Sequence, residues 1–190
     1  MACAPRQQTA GFWFADGALT LPDAIASQLG GPLTDAESES IRATARDELA
    51  RAFNGLDIAF KESHEAFWRV AVMRSLPSRS NMALPHAGES LAMGFMGGAG
   101  AVDFEFVAFS AMHFAVPGAP RAAVVEGIGR GVGRVAIHEF MHQILGNAIA
   151  HNDQDINSYE YGNPERRSQY YGDLHWTTAL PLLRQKLGSK

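Results

Sequence analysis

The feature that most restricts what this 190-residue chain can fold into is the pentapeptide His138-Glu139-Phe140-Met141-His142, set inside the apolar run from Val135 to Leu145. Two histidines four residues apart project from the same face of a helix, one turn apart, and the glutamate lies beside the first of them. The surrounding apolar residues demand burial on the remaining faces. Such a helix has to cross the core while one polar strip opens on a cleft. Burying three adjacent polar groups without a compensating partner costs roughly several kcal/mol. The arrangement therefore implies a cation held by His138 and His142, with Glu139 placed to act as a general base on a water beside it.

The rest of the sequence narrows the choice of ion and of partner. There is one cysteine, Cys3, so cysteine-rich clusters and internal disulfides are excluded and the remaining ligands must come from His, Asp or Glu. Zinc with three such ligands keeps a fourth position open and lowers the pKa of water toward neutrality, which suits hydrolysis of a carbonyl compound. A net charge of -4 with scattered basic residues argues against nucleic acid and anionic membranes as partners. No stretch of about 18 apolar residues is free of charge, so no spanning helix is expected. The first residues show no basic flank leading into an apolar run, hence no signal peptide is expected and the cytoplasm is the default compartment, a secreted origin being equally compatible with the composition. Length and a hydrophobic content of 46% fit a single domain over residues 1–190.

Along the chain, Thr34-Asp35-Ala36-Glu37 has the spacing of a capping box, and Ile41, Ala45, Leu49 and Phe53 then recur every four residues, predicting a core-packing helix ended by Asn54-Gly55. Leu56 to Phe60 and Phe67 to Met73 read as strands. Leu76 to Gly100, rich in Gly, Pro, Ser and Asn, reads as a long surface loop whose Gly94 to Gly100 end forms a rim of the cleft. Val102 to Phe109 alternates apolar and acidic residues at its start and is expected to be an edge strand. Glycines at 127, 129, 131 and 133 place the start of the active helix near Val132, and they are expected to let the chain pass close to its neighbours rather than to cradle phosphate. The tail from His151 to Gly172 is turn-rich, and Asp173 to Leu187 reads as a closing helix despite Pro181. The order of elements predicts an α+β domain, a small twisted mixed sheet packed on a long N-terminal helix and an active-site helix. His64, His86, His113 and His175 are isolated, and Ser110 and Ser158 lack the glycine elbow of a serine nucleophile.

With the pentapeptide in hand, the chain resembles the metzincin clan of zinc peptidases, in particular its matrixin-like members. In that clan the active-site helix stops at a glycine and a third His or Asp then approaches the metal. Here Gly146 ends the helix, four residues after His142, and His151 follows nine residues after it, a longer bend than the clan's usual six, at which position this chain has Ala148. The resemblance implies His151 as third ligand; Asp153, Asp155 and, in the rival gluzincin arrangement, Glu160 remain alternatives. Asn157-Ser-Tyr-Glu-Tyr161-Gly is similar to the clan's methionine-bearing turn, with Tyr159 where the methionine stands. Tyr161 then falls where some members stabilise an oxyanion. The implied activity is peptide-bond hydrolysis with peptide or protein substrates. A zinc-binding domain without catalysis, and a zinc hydrolase acting on a non-peptide amide or ester, are the other readings.

Overall fold

The computed structural model describes residues 8–76, 87–92, 97–146 and 151–190. Their elements follow the order β1 (Gln8–Phe14), α1 (Asp23–Leu29), α2 (Asp35–Ala52), β2 (Ile58–Lys61), β3 (Trp68–Met73), β4 (Gly88–Ala92), β5 (Gly98–Asp103), α3 (Phe104–Phe114), α4 (Arg121–Leu145), α5 (Ser168–Tyr171) and α6 (Ala179–Leu187). The result is a mixed α/β domain around a five-stranded sheet of order β2-β1-β3-β5-β4. The first four of these strands are parallel, with Ala10 opposite Trp68 and Val72 opposite Val102, and β4 runs antiparallel to β5 at the edge.

Helix α2 forms as its sequence dictates. The Thr34 hydroxyl accepts from the Glu37 amide while the Glu37 carboxylate accepts from the Thr34 amide at 2.9 Å. Ile41, Ala45, Leu49 and Phe53 are all buried, the stripe expected from their spacing. The Glu37 carboxylate also binds Arg121, the first residue of α4, through Nε at 2.6 Å and Nη2 at 2.9 Å. One side chain thus fixes the starts of both long helices.

Two expectations are corrected. Val102 to Phe109 is not an edge strand: β5 lies between β3 and β4, and the chain turns into α3 directly after it. The turn is made by Asp103, whose carboxylate accepts from the amides of Phe106 and Leu76, both at 2.9 Å. Beyond it, buried Phe104, Val107, Ala108 and Ala111 follow helical spacing, which the local alternation at 102–106 conceals. The true edge is β4, within the stretch expected to be a loop; much of the remainder of that stretch, Gly94 to 96 included, lies outside the described residues.

The second correction concerns α4, which begins at Arg121 and runs for 25 residues, with the four glycines inside it. An interior glycine costs a helix about 1 kcal/mol relative to alanine, so these positions need a reason, and close packing supplies it. A Cβ at Gly129 or Gly133 would lie 2.7 Å from Thr44 Cβ or from the Ala45 carbonyl oxygen on α2. A Cβ at Gly127 or Gly131 would lie 2.6 Å from the rings of Tyr171 or Tyr170. The close approach anticipated from the glycine spacing is therefore real, on two faces. Besides α2 and α5, α4 packs against β3, β4, β5, α3 and α6. Among the described residues no helix is long and apolar enough to cross a membrane.

Two outcomes follow. G133A places a methyl carbon against backbone of α2, which cannot yield as a side chain can, so overpacking falls in the upper part of the range of about 1–3 kcal/mol; less the gain of about 1 kcal/mol in helix propensity, equilibrium denaturation should show a net loss of about 1–2 kcal/mol, and wild-type stability would contradict the contact. Glu37 is held down at about 2 by its hydrogen bonds to Arg121 and then Thr34, from an ordinary value of 4.5. A depressed carboxylate stabilises the fold above its unfolded pKa and loses that contribution as pH falls toward the folded one. The unfolding midpoint of E37Q should therefore lie below wild type at pH 7, the gap closing between about pH 4.5 and about pH 2; a pH-independent gap would contradict this linkage.

Candidate metal centre

Helix α4 carries His138, Glu139 and His142 to one cavity, and the chain returns after the helix to bring His151 against them. The three Nε2 atoms lie 3.0 Å (His142 to His138), 3.0 Å (His142 to His151) and 3.3 Å (His138 to His151) apart. These three residues are close enough to hold one metal ion. The His138 Nδ1 donates to the Tyr159 carbonyl at 2.8 Å. That bond uses the single proton of a neutral imidazole, leaving Nε2 as a bare lone pair aimed at the other two rings. Burial, and then the neighbouring His142, pull His138 down to about 3; burial, and then His151, pull His142 down to about 4. Both rings are thus neutral near pH 7 and able to ligate.

Glu139 is 6% exposed, and its carboxyl is pushed up to about 8, chiefly by burial, with a Ser90 hydrogen bond opposing and the nearby Glu89 adding to the rise. It faces β4. A Cβ at Gly88 would sit 2.8 Å from Glu139 Oε1 and 2.6 Å from Val135 Cγ1, so the strand reaches the helix only because residue 88 has no side chain. Ser90 adds a hydroxyl donated to the Glu139 carbonyl at 3.3 Å. One turn further, the Gln143 amide accepts from the Arg69 N–H at 3.0 Å and donates to the Arg69 carbonyl at 3.1 Å, stitching α4 to β3. The helix that carries His138 and His142 is thereby referenced to the sheet.

The alternatives for the third ligand are all occupied elsewhere. Asp153 accepts from the Gly162 amide at 3.1 Å. Asp155 accepts from the Asn157 amide and lies 2.9 Å from His175 Nε2. Glu160 is wholly buried and accepts from the amides and hydroxyls of Thr177 and Thr178 and from the Ala179 amide, closing the start of α6. Burial alone would raise its pKa, but these bonds outweigh it and the net direction is downward. This cap, together with Pro181 in the first turn, explains why α6 begins at Ala179 rather than at Asp173. The gluzincin alternative therefore has no support in the position of Glu160.

Tyr161 lines the same cavity of about 590 Å³ as the three histidines and Glu139. Its ring lies under the Arg166 guanidinium, 4.5 Å from centroid to Cζ, and its hydroxyl makes no hydrogen bond among the described residues. Tyr159, at the expected methionine position, supports the site through its backbone carbonyl and packs its ring 4.9 Å from that of Trp176. Gly162 abuts the third ring: a Cβ there would be 2.5 Å from His151 Nδ1. Of the isolated histidines, His64 packs at a tilt against Trp13, His113 stacks on Phe109, and His175 pairs with Asp155, while His86 lies outside the described residues. Sequence reasoning missed Gly88, Ser90, Gln143 and Gln169 as cavity or anchoring residues. Only Gln143 carried a signal, standing one helical turn after Glu139 in an otherwise apolar run.

No protein-family model and no curated protein matches the chain, so the metal centre is read from its own geometry.

Proposed function

We propose that this chain is a zinc-dependent hydrolase of metzincin-like design, acting on peptides, with His138, His142 and His151 as ligands and Glu139 as general base. The observation that carries this reading is the mutual approach of three imidazole Nε2 atoms to 3.0–3.3 Å beside a buried carboxyl group in an open cavity. A tetrahedral zinc with N ligands at about 2.0–2.1 Å requires nitrogens roughly 3.3 Å apart, so the donor set fits the ion. Three neutral rings have too few protons to satisfy one another pairwise at that spacing, particularly with the His138 proton committed to Tyr159. When bound, zinc supplies Lewis acidity, lowering the pKa of water and polarising a carbonyl oxygen.

The protein's own groups supply the remaining chemistry. Burial alone keeps the Glu139 carboxyl protonated near pH 7, and the charge of a bound dication would ionise it; the carboxylate would then accept the proton of the attacking water and return it to the leaving amine, alternating between base and acid. The Tyr161 hydroxyl donates a hydrogen bond to the oxygen on which negative charge develops. An extended peptide adds to the outer edge of β4, whose Gly88 to Leu91 stretch borders the cavity, so that its backbone is held by strand pairing while a carbonyl faces the histidines. This places the substrate on β4 instead of on the segment first expected to form the edge.

In a panel of quenched peptides, the zinc-loaded wild type should cleave and chelation should abolish cleavage. E139Q should keep stoichiometric zinc by metal analysis while losing about 100-fold or more in kcat; undiminished turnover excludes Glu139 as the base. H151A should fail to retain zinc through dialysis, and full retention there removes His151 from the ligand set. Stoichiometric zinc without hydrolysis of any peptide would move the assignment to a structural metal or a non-peptide substrate.

A further inference from the structure

Arg166 is a buried cation without an ion pair. It is 5% exposed, and among the described residues no carboxylate oxygen comes within salt-bridge distance of it. Its Nη2 donates at 2.9 Å to the Ser158 carbonyl and to Gln169 Oε1, its Nη1 reaches the Asn163 carbonyl at 3.5 Å, and its Nε is enclosed with no hydrogen-bond partner among the described residues. Burial lowers its pKa to about 10, which leaves it charged at neutral pH. Arg134, a buried arginine that does border the cavity, differs in being paired with Glu48.

Gln169 stands between this charge and the cavity. Its side chain borders the cavity while the residue is only 4% exposed. Arginine has no acceptor, so the bond from Arg166 fixes the orientation of the amide: Oε1 must face Arg166 and Nε2 must face away. Nε2 has no partner among the described residues and is not among the enclosed unpartnered atoms, so it is the accessible end of a side chain whose residue lines the cavity. The backbone of Gln169 is pinned as well, its N–H donating to the Arg166 carbonyl and its carbonyl accepting from Arg134. A rigid N–H donor with a positive charge behind it that no direct ion pair neutralises selects an anionic acceptor over a neutral or apolar one.

We infer that Gln169, oriented by Arg166, forms a subsite for an acidic side chain, so that the preferred substrates are peptides with Glu or Asp near the bond cleaved. The inference rests on the peptidase reading of the cavity. The acidic residues bordering the cavity, Glu89 and Glu139, stand on β4 and α4, whereas Gln169 stands on α5, the element that brings a donor and no carboxylate to the lining. Gln169 is the contact residue and Arg166 a positioning residue.

The test uses zinc-loaded E139Q and labelled peptides in which each position of one parent carries Glu, Gln or Met in turn, with affinity read by fluorescence anisotropy. At one position Glu should bind at least about tenfold more tightly than Met, the scale of a charge-assisted hydrogen bond. Adding Q169M should reduce that ratio below about threefold. Adding Q169E, which turns a carboxylate oxygen toward the cavity, should reverse the order of Glu and Gln, an inversion that a purely structural role would not produce. Zinc content and melting temperature establish that each variant is folded, and either variant alone suffices. Absence of any Glu preference in E139Q, or a preference that survives the folded variants, overturns the subsite. If the active wild type cleaves the panel without regard to Glu, the subsite fails and the hydrolase reading stands; if E139Q discriminates while the wild type cleaves nothing, the hydrolase reading fails and the anion subsite stands.

Discussion

The buried pair of Arg134 and Glu48 is the contact through which the rest of the domain is assembled. Both side chains are 1% exposed, and Arg134 Nε meets Glu48 Oε2 at 3.0 Å. The remaining guanidinium protons go to Glu48 Oε1 and to the carbonyls of Ser168, Gln169 and Gly172, so every donor is used. A buried ion pair adds little net stability over an apolar replacement, because desolvation offsets most of the attraction, but removing one partner is expensive. Its contribution is to geometry. Glu48 belongs to α2, Arg134 to α4, and the three carbonyls to α5 and its end. The helix that carries two candidate ligands and the segment that supplies a wall of the cavity therefore share one reference point.

A second set of contacts fixes the turn that carries the third ring. Glu160 gathers the open amides at the start of α6, and one residue earlier the Tyr159 carbonyl holds the His138 ring. The turn is thus tied to α6 by a carboxylate and to α4 by a carbonyl. His151 sits beyond Gly146, and the bare Cα of Gly162 gives its ring room to lie against the returning chain. The acidic residues that compete with His151 on sequence grounds are the ones that build this scaffold, which is why they are unavailable to ligate.

Elements whose signals are local were legible from the sequence: the capping box at Thr34, the four-residue stripe of α2 and the imidazole pair one turn apart; His151 was implied only by the resemblance, beside Asp153, Asp155 and Glu160. What escaped were features whose cause lies elsewhere in the chain. The glycines of α4 oppose helix formation locally and are explained only by Thr44, Ala45, Tyr170 and Tyr171 on other elements. Strand β4 has a turn-forming composition, and it becomes a strand because Gly88 can lie against Val135 and Glu139 while β5 offers a free edge. The alternation at Val102 to Phe106 matched a strand over too short a window, and Asp103 converted the chain to helix at a point that periodicity had no means of marking. Glu160 is the corresponding case at the site. Its role as a cap depends on Thr177 and Thr178, seventeen and eighteen residues away.

The opposed glycine rows of α4 also bear on motion. A helix in backbone contact on one side with α2 and in ring contact on another with α5 has no latitude to roll about its own axis, since a small rotation drives main chain into main chain. The points from which its two imidazoles project are thereby fixed, and the hydrogen bond to the Tyr159 carbonyl then sets the torsions of the His138 ring. Any adjustment to an incoming molecule then falls to the edge strand β4, which is paired on one side alone, with the long helix as the fixed axis beside it.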